Sequence, residues 1–126
     1  MRVLALDHGT VRCGCAISDP TETLARPLAA IEPEPARVAE LVAEHGVESV
    51  VVGLPVTLRG EEGEQAEASR RFAAELTGML EVPVDTYDER LTTRMAERSA
   101  REGAAGDQDS LAAAHLLESY LASKAR

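Results

Sequence analysis

Apolar runs and the polar breaks between them divide this chain into short strands and amphipathic helices. RVLALD scarcely alternates between apolar and polar positions, so it predicts a first strand covered on both faces. CGCAIS predicts a second strand, joined to the first by the turn HGTVR as a hairpin. TLARPLAAI predicts a third strand before the break EPEP, with Pro27 pushing it towards an edge or a bulge. A helix over 36–45 places Val38, Leu41 and Val42 on one face and ends near Gly46.

SVVVG is the clearest buried strand. It should stop at GLP, because Pro55 cannot donate to a ladder and Gly53 allows an unusual backbone angle. After a loop carrying Arg59, a helix from about Glu64 to Leu80 presents Phe72, Ala73, Leu76, Met79 and Leu80 on one face. VPVDTY predicts the last strand. DERLTTRMAERSARE and DSLAAAHLLESYLA predict two further helices, separated by the break at 103–106.

This order predicts an α/β domain with a mixed sheet: a three-strand antiparallel meander followed by two strands fed by helical crossovers. Those two must lie beside the first strand if Asp7 and Glu89 are to meet at one carboxyl edge, the usual ligand position in such sheets. A chain of 126 residues fits one domain spanning 1–126, large enough for a core without disulfides or a structural metal. Cys13 and Cys15 lie two apart on one strand, share a face, and read as buried thiols rather than a bridge. The longest apolar runs are far shorter than a membrane span and the chain opens on a strand rather than a signal peptide, so a cytoplasmic location is expected.

Aromatic residues make up 2% of the chain, which argues against the stacking platforms of single-strand binders. The net charge of −9 opposes generic nucleic-acid binding. Charge averages hide geometry, however: Arg90, Arg94, Arg98 and Arg101 form one stripe on a helix beginning beside Glu89. A solvated face with Glu97 and Glu102 as partners is the other reading of that spacing.

The candidate chemistry starts at Asp7, an acid at the end of an apolar strand. With Glu89 and Asp109 it makes a set of hard oxygen donors of the kind that holds magnesium or manganese for phosphodiester hydrolysis. Other readings stand beside this one. Asp7 before Gly9 is also an ordinary turn signal, and Asp109 can serve as a helix N-cap. Asp85 and Asp88 compete with Glu89, although alternation separates Asp88 from Glu89 if the strand persists that far. Arg12 can be a surface ion-pair partner, Thr92 a helix cap, and His8 a turn residue hydrogen-bonded locally rather than a neighbour of a metal's water.

Four blocks, LALDHGTVRCGCAISD, VVGLPVTLRGEEGEQAEASRRFAAEL, VPVDTYDERLTTRMAE and DSLAAAHLLESYL, are spread over nearly the whole length. Through them the chain resembles the YqgF family, the RuvX-type pre-16S rRNA nucleases and Holliday junction resolvase homologues of RNase H-like fold. The resemblance implies a five-stranded mixed sheet flanked by helices, with Asp7, Glu89 and Asp109 as catalytic ligands of Mg2+ or Mn2+. It also implies that Arg12 contacts phosphate and that the loop of Arg59 lies at the rim of the site. With the stripe residues Arg90 and Arg94, these form the expected substrate contacts.

The implied activity is endonucleolytic processing of the 5′ end of precursor 16S rRNA, with the assembling ribosome as a partner. Branched DNA is the alternative substrate. A non-catalytic module that binds rRNA or a processing protein is the alternative role, favoured by the −9 charge. An actin-like ATPase also opens on DxGT, but it needs a second domain that 126 residues do not provide. The chain departs from the family in one respect: the approach to Asp109 is GAAGDQD rather than Lys-rich, so Asp107 puts negative charge where phosphate would arrive.

Overall fold

The computed structural model describes residues 1–55, 63–88 and 108–124. Within them the chain runs β1 (Val3–His8), β2 (Cys13–Ser18), β3 (Ala25–Ile31), α1 (Pro35–His45), β4 (Ser49–Leu54), α2 (Glu64–Met79), β5 (Val84–Asp88) and α3 (Gln108–Lys124). The helix expected over 88–102 lies outside the described residues, apart from Asp88 itself, which ends β5.

The five strands form one sheet in the order β3-β2-β1-β4-β5. β1 to β3 are the antiparallel meander, while β4 pairs parallel to β1 and β5 parallel to β4. The sheet is therefore the mixed one the sequence predicts, with β1 at its centre and the Pro27 strand at an edge. Pro27 lacks an N–H, which an edge strand tolerates. A register irregularity in the pairing of β2 with β3 falls between Cys13 and Cys15.

Strand alternation sends side chains to two cores. Leu4, Leu6, Cys13, Cys15, Ile17, Val50 and Val52 pack with Val38 of α1 and Phe72, Ala73 and Leu76 of α2. On the other face Val3, Ala5, Ala16 and Val51 pack under Ala113, Ala114, Leu116, Leu117, Tyr120 and Leu121 of α3. The small residues on that face let α3 lie close to β1 and β2. Both cysteines are buried thiols that form no disulfide, in line with their shared face.

Pro35 opens α1, where its missing N–H costs nothing. Gly46 closes it in the left-handed region at φ 64, a conformation that favours glycine. Gly53, by contrast, does not use the backbone freedom expected of it; it lies within regular, buried β4.

The third strand begins at Ala25, two residues later than the apolar run suggests, because the carboxylate of Asp19 captures the intervening backbone. It accepts from the Thr23 and Leu24 amides (2.8 and 3.0 Å) and from the Thr21 and Thr23 hydroxyls (2.6 and 2.9 Å). These bonds, led by that from Thr21, hold the Asp19 carboxyl far below the usual carboxylate range. A folded-state pKa below the unfolded value stabilises above the unfolded pKa and is lost as pH falls. The difference in melting temperature between the wild type and Asp19→Ala should thus be fully present near about pH 7 and narrow below about pH 4. A difference that widens with acid would contradict this account of the turn.

Between β1 and β2, the Gly9 amide donates to the Arg12 carbonyl at 2.9 Å. A Cβ on Gly9 would stand 2.7 Å from that oxygen. Both partners are backbone, so no rotamer change relieves the clash. Gly9→Ala should cost ~1–3 kcal/mol in denaturant unfolding; an unchanged midpoint would show that the turn can relax.

Candidate active site

Asp7 is the penultimate residue of β1, half-buried at the strand's carboxyl end. Its parity is that of Val3 and Ala5, so it faces α3, while His8 shares the face of Leu4 and Leu6. Asp7 pairs with Gly14 of β2. On its other side the parallel register Leu6↔Val52, advanced by one residue, brings Gly53 of β4 level with it. Gly14 and Gly53 share the parity of Ala16 and Val51, which face α3. The acid thus stands in a strip of sheet with no side chain on either neighbour, an opening that the run of strands alone does not reveal.

α3 closes over one end of this strip. At the irregularity of β2, the Cys15 N–H donates to Oγ of the buried Ser110 at 3.2 Å. Cys15 follows Gly14, the partner of Asp7, and Ser110 follows Asp109, so the first turn of α3 is pinned beside the Asp7 strip. Asp109 lies within that turn, beside Gln108, where the described part of the helix begins. At the other end of α3 the Tyr87 hydroxyl meets Ser119 Oγ at 2.9 Å, and the Tyr120 hydroxyl donates to Asp85 Oδ2 at 3.3 Å. The Tyr87 and Tyr120 rings pack edge to face, 5.6 Å apart.

These contacts separate the competing acids of β5. Asp85 faces α3 but lies lower in the sheet, level with Val51, and its carboxylate is engaged by Tyr120 and by the Thr86 amide. Asp88 has the parity of Val84, which packs against the core on the α1 and α2 side, so it faces away from Asp7. Glu89, Arg59, Arg90 and Arg94 lie outside the described residues, as do Asp107, Arg98 and Thr92. Among the described residues no cluster of three potential metal ligands is formed. Arg12 is exposed on the hairpin turn, lining a shallow depression with Gly9, Thr10 and Val11.

His8 departs from the expected local turn contact. It ends β1, stacks on Phe72 with ring centroids 4.4 Å apart, and meets Ser69 Oγ at 3.4 Å. Gln65 Nε2 donates to the His8 carbonyl at 2.9 Å and lies 3.3 Å from His8 Nδ1. Burial lowers the imidazole pKa, against the opposing pull of Asp7 and Glu75. Sequence reasoning missed Gln65, Ser69 and Ser110; the first two recur at helical spacing with Phe72, the only available signal.

Among the described residues, no helix is long and apolar enough to cross a membrane. Solved structures share the fold. The chain resembles Thermus thermophilus RuvC in complex with a Holliday junction substrate at a TM-score of 0.68 and 17% identity, over 99% of this chain and 96% of that one. It resembles the fowlpox virus Holliday junction resolvase at a TM-score of 0.59 and 13% identity, over 98% and 99%.

Relatives from Chloroflexus aurantiacus and Rubrobacter xylanophilus are 44% and 47% identical, covering 94% and 95% of this chain and 85% and 91% of their own lengths. Both carry the name "Putative pre-16S rRNA nuclease". The family model described as RuvX, Holliday junction resolvase, matches residues 1–123, and the chain belongs to that family.

Proposed function

We propose that this chain, as a single nuclease domain over 1–126, is a metal-dependent endonuclease that hydrolyses phosphodiester bonds at the 5′ end of precursor 16S rRNA in the cytoplasm. The observation that carries this reading is the Asp7 carboxylate, half-buried between two glycine positions and facing the first turn of the helix that bears Asp109. Two relatives 44% and 47% identical over nearly their whole lengths, both named for pre-16S rRNA, support the substrate.

The donor chemistry fits a divalent cation. Asp7 offers hard oxygens beside a bare strip, and the alternation that turns Asp88 away favours Glu89 as the ligand from the β5 side. Asp7, Glu89 and Asp109 would hold Mg2+ or Mn2+, which supplies Lewis acidity to activate water and offset charge on the phosphate oxygens. Arg12, on the hairpin beside Asp7, orients the phosphate backbone, and Arg59, Arg90 and Arg94 extend that contact. A chain of net charge −9 gains little from long-range attraction to RNA, so the assembling ribosome is the partner that presents the substrate.

Purified protein should cleave precursor 16S rRNA in the presence of magnesium or manganese, in preference to a four-way DNA junction. Asp7→Asn keeps the side-chain shape and should fold normally while losing at least about 100-fold in rate. Preference for the junction would reassign the substrate. Binding without cleavage in either metal would favour a non-catalytic module.

Replacing Arg90, Arg94 and Arg98 together by Gln should weaken RNA binding across sequences and flatten its salt dependence, with little change in melting temperature. Asp107→Lys should strengthen binding. An unchanged affinity and salt slope in the triple variant would assign the stripe to solvent.

A further inference from the structure

The ladder between β1 and β4 ends at the pair Leu6↔Val52, one residue short of Asp7. Beyond that point β1 keeps a strand partner only on the β2 side, where the pairs Asp7↔Gly14 and His8↔Cys13 continue. A proposed ligand carboxylate therefore sits on the stretch of β1 that the parallel ladder no longer holds. Helix α2 supplies what the ladder does not. Gln65, in its first turn, donates to the His8 carbonyl at 2.9 Å, taking the place of a strand donor. The same Nε2 lies 3.3 Å from His8 Nδ1, and Ser69 Oγ lies 3.4 Å from it. Phe72 stacks on the ring with an interplanar angle of 24°.

These three residues occupy positions 65, 69 and 72 of one helix face, and Ser69 and Phe72 are buried in the core. The contacts lie on the face of β1 opposite Asp7, so they leave the glycine strip open. We infer that Gln65, Ser69 and Phe72 of α2 clamp His8 and thereby act as positioning residues that fix the direction of the Asp7 carboxylate. This rests on the reading of Asp7 proposed above.

The test uses the full chain and three variants, with cleavage kinetics on precursor 16S rRNA and amide hydrogen exchange in metal-free protein. Gln65→Met keeps the side-chain length and removes the donor. His8→Ala removes the stacked ring, and His8→Phe keeps it. Gln65→Met and His8→Ala should lower kcat about tenfold and leave KM within about twofold. Exchange should quicken at the amides of Asp7, His8 and Gly9 while those of Leu4 and Ala5 stay protected.

His8→Phe should retain more of kcat than His8→Ala, because the stack on Phe72 survives. Wild-type kcat in Gln65→Met, or exchange that rises evenly along β1 and β4, would overturn the clamp. Wild-type cleavage by Asp7→Asn would instead overturn the reading of Asp7 on which the clamp rests, whatever the exchange data show.

Discussion

A strand hydrogen-bonded along both edges and covered on both faces cannot shift one residue without disturbing two neighbouring strands and two packed layers. β1 is in that position, between antiparallel β2 and parallel β4, with α1 and α2 on one side and α3 on the other. Val3, Leu4, Ala5 and Leu6 are fully buried. The strand turns polar only at Asp7 and His8, where the β4 ladder has ended. An acid at that point continues a strand anchored in the core, keeps its pairing with β2, and faces a part of the sheet made bare by Gly14 and Gly53. Such anchoring is useful at a site that has to hold oxygen ligands in fixed relation to a cation, since metal geometry tolerates little drift.

The second requirement is that α3 arrive at the right end of the sheet, and several contacts see to this along its length. Ser110 takes the Cys15 amide at its start, Ser119 and Tyr120 meet Tyr87 and Asp85 of β5, and Lys124 reaches Glu22 in the β2–β3 turn at 3.9 Å. Lys124 also lies over the Tyr120 ring, 5.5 Å from its centroid. The helix is thus fixed to two strands and one turn, and its first turn, with Asp109, is held beside β2. Glycine and alanine on the sheet face below let it approach closely, so that small residues set the architecture here as much as large apolar ones do.

Much of this was legible in the chain. The unalternating run VLAL gave a strand buried on both faces, CGCAIS gave its hairpin partner to the residue, and Pro27 marked the edge strand. What the pattern could not convey were contacts between distant segments. A carboxylate at Asp19 took the backbone donors of Thr23 and Leu24 and so delayed β3. His8 looked like a turn residue because Gln65 and Ser69 lie far along the chain. Gly53 read as a source of backbone freedom, whereas its use here is the absence of a side chain beside Asp7. Of the candidate site, the position of Asp7 and the helix of Asp109 followed from the sequence; the parity that turns Asp88 to the other face and the Tyr120 contact to Asp85 did not.

The central claim is that Asp7 and the first turn of α3 share one cation site. Crystals of the full chain grown with manganese, with the ion located by its anomalous scattering, test it most directly. The account predicts manganese within coordination distance, roughly 2.1–2.2 Å, of an Asp7 carboxylate oxygen and of Asp109, with Glu89 completing the protein ligands. Manganese bound with Asp7 outside its ligand shell, or an Asp109 carboxylate turned away from the Gly14 and Gly53 strip, would contradict it.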